Sequence, residues 1–307
     1  MNLARKRSGG RPATGTRPGT GTVPTMRDLN ALVLGGVAWN TMVYVDEFPP
    51  PVADTVFANG MVETVGSSGA GKALNLTHLG ADVTLWALVG DDEAGLKIRD
   101  FMEGRGVHLL TTTDAAGTMR HINLMNRHGE RISIWASSGS FEQEVDVAEL
   151  APMMDAADIV SVTIMNYCRQ FLPTLLRAGK PISIDIHDYD GVNPYHDEFI
   201  AAADFLFMNS LAMPDWRAFL EGRIAAGTRV AVCTHGADGA SGLTSDGGWV
   251  DITAKPVADV VDTNGAGDAF YAGFMTSWIA SENLEEAMRC GAEAAAAAIQ
   301  SPALAPL

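Results

Sequence analysis

The sequence predicts an α/β fold on a largely parallel sheet with a small β insertion. Apolar runs of strand length alternate with stretches of helical period over most of the 307 residues, and one central segment breaks that rhythm with two strands around a turn. Composition agrees: 47% of residues are hydrophobic and 19% charged, enough to bury a sizeable core and to exclude disorder of the whole chain. No internal repeat or linker divides the sequence, so one main domain is expected over residues 28–307, behind a flexible tail over 1–27.

In order, Ala31–Gly36 (ALVLGG) reads as the opening buried strand. Ala70–Leu79 has the 3.6-residue spacing of a helix, and Val83–Val89 (VTLWALV) is the next strand. Asp91 and Asp92 stand where an N-cap is expected before a helix over Glu93–Arg105, which Gly106 ends. Thr118–Asn126 and Arg131–Trp135 form the expected hairpin around His128-Gly129. The α/β rhythm then returns with strands at Ile159–Val162, Ile182–Ile186, Phe205–Met208 and Arg229–Thr234. Two turn-bounded strands, Ser241–Thr244 and Trp249–Thr253, precede helices near Ala266–Ser281 and Leu284–Ile299.

The net charge is -16, and six of the 21 basic residues fall in the first 27 positions, where no acid occurs. Residues 28–307 therefore carry 15 basic against 37 acidic residues, or -22. Such a body repels phosphate backbones, so nonspecific nucleic-acid binding is not expected, and a phosphorylated ligand must be held by backbone N–H groups, a metal ion or a few local cations. Three widely spaced cysteines, Cys168, Cys233 and Cys290, make neither a disulfide scaffold nor a zinc motif and fit a reducing cytoplasm. No apolar run reaches membrane-spanning length. Residues 1–25 are rich in Gly, Thr, Arg and Pro without the apolar stretch of a secretory signal, and are read either as a basic tail or as sequence ahead of a start at Met26.

The most informative segment is Val260–Phe274 (VVDTNGAGDAFYAGF). Small residues at Gly265-Ala266-Gly267 let a turn present successive N–H groups at a helix N-terminus, where partial positive charge gathers and an anion gaining charge is stabilised. Asp268, just inside that helix, is placed to accept the proton of an attacking hydroxyl. A bare GAGD is equally at home as a Gly-rich loop with an ordinary first-turn acid. A second run, GSSGAGKA at Gly66–Ala73, matches the P-loop pattern except that Ala73 replaces the hydroxyl that would ligate Mg²⁺. His187–Gly191 (HDYDG) has part of a calcium loop without its later ligands.

In its full context DTNGAGDAF resembles the C-terminal signature of the ribokinase-like, or PfkB, carbohydrate kinases. GSSGAGKALNLTHLGADVTLWALVGDDEAG resembles their N-terminal signature, and the likeness runs from about Ala31 to Ile299. It implies a three-layer α/β/α sandwich with a mostly parallel central sheet and a small β lid near residues 40–65 and 118–135. It implies ATP-dependent phosphorylation of a hydroxyl on a sugar or sugar-like molecule, with Asp268 as general base and an anion hole at Gly265, Ala266 and Gly267. Mg²⁺ is implied with the nucleotide, and K⁺ near Asp262. Asn209, Thr234, Gly236, Ala237, Gly239, Asp262 and Thr263 fall on the nucleotide side, and Asn40, Gly66, Ser67, Gly71 and Lys72 on the substrate side. No residue is assigned as a direct metal ligand, since Ala212 stands at the Glu of the Asn-x-x-Glu motif. The ion is then held by nucleotide oxygens and water, or a nearby acid such as Asp185 substitutes.

Three further departures are visible: Asn40 for the usual Asp, Ser67 for a second Gly and Gly71 for an Asn. Lys72 reads either as a donor to the substrate or as a solvated lysine of a first helical turn. The likeness also implies a small-molecule substrate, no membrane or nucleic-acid partner, and a homodimer through the lid. A nucleoside kinase of the same fold and a binding protein that has lost turnover are the rival readings.

Overall fold

The computed structural model describes residues 29–301 and 303–306, so the tail and the start at Met26 lie outside it. Thirteen strands and eight α-helices follow one another among these residues. Nine strands make one sheet, in the order β13-β12-β11-β10-β9-β8-β1-β4-β5. These are β1 (Asn30–Leu34), β4 (Asp82–Val89), β5 (His108–Thr113), β8 (Ile159–Val162), β9 (Ile182–Asp185), β10 (Phe205–Asn209), β11 (Val230–Thr234), β12 (Ala240–Thr244) and β13 (Trp249–Ile252). From β11 to β5 every neighbouring pair is parallel, and β12 and β13 close one edge as antiparallel strands.

A parallel sheet needs cover on both faces, which is why its strands read as continuous apolar runs. On β1, Ala31 and Val33 point into one core, Leu32 and Leu34 into the other. The first core is covered by α1 (Ser68–His78), α2 (Glu93–Gly104), α7 (Ala266–Ser281) and α8 (Leu284–Ala298); the second by α3 (Ala151–Ala156), α4 (Leu172–Ala178), α5 (Asp197–Ala202) and α6 (Trp216–Ala225). This is the expected three-layer sandwich. Asp92 caps α2 by accepting from Gly95 N–H at 2.8 Å, as its position predicts.

A separate four-stranded sheet, β3-β2-β6-β7, occupies the part of the chain where the likeness implies a lid, and is called the lid. It joins β2 (Ala38–Tyr44) and β3 (Gly60–Gly66) to the hairpin of β6 (Arg120–Met125) and β7 (Arg131–Ser137). Its strands overlap the two segments near 40–65 and 118–135 and run one or two residues beyond them. Several elements escape the sequence reading, α6 among them. Strand β5, HLLTTT, is a half-buried edge without an apolar run, and α3 to α5, of six or seven residues each, are too short to show a period.

Candidate active site

The carboxyl ends of the parallel strands meet the N-termini of α1 and α7, where open α/β sheets bind ligands. Gly265 precedes α7 with φ +81°, a left-handed conformation that glycine adopts without cost. That bend turns the chain so that the N–H groups of Gly265, Gly267 and Asp268 meet no acceptor among the described residues, while Ala266 N–H bonds back to Thr263. Three free amides thus gather at the positive end of a 16-residue helix, an arrangement suited to an anion.

Asp268 lies over α1, its side chain 12% exposed. Its Oδ1 accepts from Ser68 Oγ at 2.8 Å and from Lys72 Nζ at 2.7 Å. Its Oδ2 has no partner among the described residues and fills the space beside Gly71, where a Cβ would stand 2.2 Å from it. Gly71 leaves the room this carboxylate occupies, and a side chain there would require the carboxylate to shift.

Lys72 is 1% exposed, and its ammonium spends its three N–H groups on Ser68 at 2.6 Å, Asp268 at 2.7 Å and Asp185 at 3.0 Å. Burial opposes its charge, but Asp185 and Asp268 outweigh it and hold the ammonium above its ordinary range. Burial likewise opposes the charge of Asp185, and His187, Lys72 and the His187 N–H together hold that carboxyl well below its ordinary value. The structure therefore corrects both readings of Lys72: it is neither solvated nor free to reach a substrate. It also removes the P-loop, since Lys72 faces two carboxylates and the strand before it belongs to the lid.

The other residues singled out by sequence fall into two groups. Asn209 ends β10, Thr234 ends β11, and Gly236, Ala237 and Gly239 turn the chain from β11 into β12. Asp262 is buried and accepts from Asn264 N–H at 2.7 Å, while Thr263 Oγ1 donates to the Gly129 carbonyl at the lid hairpin. Arg131 of β7 donates to the Asn264 side chain, a second tie between lid and anion loop. On the lid side, Asn40 is buried over Gly66, and Ser67 adopts φ +78° where the resemblance leads one to expect glycine, a backbone position that costs a side-chain residue about 1–3 kcal/mol.

Two lid residues were not foreseen. His121 of β6 pairs with Asn40 on one side and with Trp135 of β7 on the other, and its ring lies 4.6 Å from that of Trp135. Strand alternation puts this row on the face that carries Arg131. Asn40 Oδ1 and His121 Nε2 are buried without a hydrogen-bond partner among the described residues.

Comparison with known proteins settles the class. The model of the pfkB family carbohydrate kinases matches residues 32–306. The chain belongs to that family. It is 34% identical over 280 residues to acarbose 7(IV)-phosphotransferase of an Actinoplanes species, covering 89% of this chain and 93% of that protein. It is 30% identical to the ATP-dependent ribose-1-phosphate kinase of Halopiger xanaduensis, over 86% of this chain and 91% of the relative. The solved structure of a microbiome-derived acarbose kinase, Mak1, superposes with a TM-score of 0.81 at 32% identity, covering 88% of this chain and 92% of that one. This carbohydrate kinase is accordingly an ATP-dependent phosphotransferase that acts on a hydroxyl of a sugar-like molecule, and kinases of its family use ATP with Mg²⁺. Among the described residues, no helix is long and apolar enough to cross a membrane.

Proposed function

We propose that this kinase transfers the terminal phosphoryl group of ATP at the junction of α1 and α7, with Asp268 as base. The observation that carries the reading is the free Oδ2 of Asp268 beside the unpaired amides that precede it. The acceptor hydroxyl gives its proton to Oδ2, its oxygen forms the new bond to the γ-phosphorus, and the bond to the β,γ-bridging oxygen breaks to release ADP. The amides of Gly265, Gly267 and Asp268 stabilise the charge on the transferred group. The nucleotide extends across the strand ends at Asn209 and Thr234 and the turn at Gly236, Ala237 and Gly239.

The donor set suits Mg²⁺ held by the phosphates. Asp185 already accepts from His187 N–H at 2.9 Å on Oδ1 and from Lys72 on Oδ2, which favours nucleotide oxygens and water over this acid in place of the Glu missing at Ala212. Mg²⁺ bound with ATP would keep nucleotide oxygens and water as ligands and would offset triphosphate charge. The buried carboxyl of Asp262, ahead of the anion loop, is the group that would gather K⁺; rates in KCl against choline chloride read this.

The acceptor lies under the lid, against Asn40, Ser67 and the His121–Trp135 pair. The acarbose phosphotransferases at 32–34% identity support an acarbose-like acceptor. The lid's outer face presents Met61, Ile122, Ile132 and Ile134 to solvent, which supports a homodimer through that face, checked by sedimentation velocity. Buried, unpaired Cys168 and Cys233 support a cytoplasmic location, the latter's thiol pushed up to about 12 by burial.

An ADP-release screen over acarbose, simple sugars, sugar phosphates, polyols and nucleosides tests the reading. Turnover with a sugar-like acceptor is expected. Turnover with nucleosides alone would make it a nucleoside kinase, and a thermal shift without turnover would make it a binding protein.

A further inference from the structure

A lysine at 1% exposure is costly unless every N–H is matched, and ion pairs of this kind can often be replaced by apolar residues without loss of stability. Its retention beside the base therefore calls for a reason other than packing. The floor of its pocket is fixed: the ammonium sits 5.2 Å from the ring centre of Tyr271, whose hydroxyl is 2.6 Å from Ser183 Oγ. The ammonium also donates to Ser68, whose hydroxyl donates in turn to Asp268 Oδ1, so two donors converge on one oxygen. The other oxygen is left in the space that Gly71 vacates.

We propose that Lys72 is the positioning residue of this kinase: anchored by Asp185 and seconded by Ser68, it ties Asp268 Oδ1 and thereby presents Oδ2 to the acceptor hydroxyl. The inference rests on Asp268 being the base. Gly71 and Lys72 act as one unit, the first making room for the carboxylate and the second fixing its rotation. Asp185 supplies the counter-charge that keeps the ammonium in place while Asp268 gains and loses its proton. Groups facing Lys72 are Ser68 from α1, Asp185 from β9 with His187 behind it, and Asp268 and Tyr271 from α7, so Lys72 is the one lysine or arginine in contact with the base among the described residues.

The test uses the full chain with Lys72→Met, the double variant Lys72→Met with Asp185→Asn, Lys72→Arg, and Asp268→Asn as reference. Lys72→Met leaves two carboxylates near one another and is expected to melt earlier. The double variant removes that frustration and is expected to recover thermal stability while kcat stays about 10²-fold or more below wild type, with the KM for ATP changed less than about threefold, because a misplaced base loses rate rather than nucleotide affinity. Lys72→Arg keeps charge without the geometry and is expected to remain about tenfold or more impaired. Activity within about threefold of wild type in the double variant or in Lys72→Arg would overturn the positioning role while leaving the base assignment intact. Near-wild-type activity in Asp268→Asn would instead overturn the base itself.

Discussion

The floor and the lid of the cleft are built on opposite plans. On the floor, every N–H of Lys72 is matched, Asp185 is held by two donors, and Asp268 keeps a single free oxygen. On the lid, Asn40 Oδ1 and His121 Nε2 lack partners among the described residues, and Trp135 is 53% exposed. An unmatched buried polar atom costs about 1–3 kcal/mol, so the lid keeps side-chain groups that a ligand would satisfy, whereas the Lys72–Asp185 pair of the floor is complete without one. On the proposed reading, reaction geometry is set by the sandwich and acceptor choice by the lid, which is tied to the sandwich by Thr263 with Gly129, Asn264 with Arg131 and Glu63 with Lys97.

Substitutions on the two sides should therefore fail differently. Asp268→Asn should fold normally and lose about 10²–10⁴-fold in kcat, measured by ADP release, since the carboxamide cannot take the hydroxyl proton. Gly265→Ala should come next. It forces φ +81° on an alanine and brings its Cβ to 3.0 Å from the Leu304 carbonyl, so about 10–10²-fold in kcat and about 1–2 kcal/mol of stability should go together, read by kinetics and denaturant melts. On the lid, Asn40→Ala should raise the KM for the acceptor by about tenfold with kcat nearly unchanged; an equal loss in kcat would place Asn40 on the floor's side of the division.

The smallest effect is a pH dependence. Burial, then Arg131, lowers the His121 imidazole from 6.5 to about 4, so the folded chain disfavours a proton that the unfolded chain accepts. This site contributes no penalty above about pH 6.5, and stability falls as pH drops from there towards 4. His121→Gln should flatten that part of the stability profile, and an unchanged slope would show that the lid histidine titrates normally.

How much of this was legible in the sequence follows the same division. The nest at Gly265-Ala266-Gly267 and the acid at Asp268 are readable because the chemistry is local: small residues, a turn and a helix start occupy consecutive positions. Lys72 is not, because its partners Asp185 and Asp268 stand 113 and 196 positions away and only the sheet order brings them together. Gly71 looks like a loss relative to the family pattern until the carboxylate beside it shows what the missing side chain makes room for. His121 and Trp135 depend on strand register, and a register shift between Arg120 and His121 decides which residue faces Trp135. The alternation of the hairpin is visible from sequence, but the offset is not.

The central claim is that Asp268 Oδ2 meets the acceptor hydroxyl beside amides that hold the migrating phosphoryl group. A crystal structure with Mg²⁺, ADP, aluminium fluoride and a turned-over acceptor tests it most directly. The account predicts the acceptor oxygen at about 2.6–3.2 Å from Oδ2, the fluorides on the amides of Gly265 and Gly267, and Lys72 still on Oδ1. A fluoride group seated elsewhere, or a carboxylate turned away from the acceptor oxygen, would contradict it.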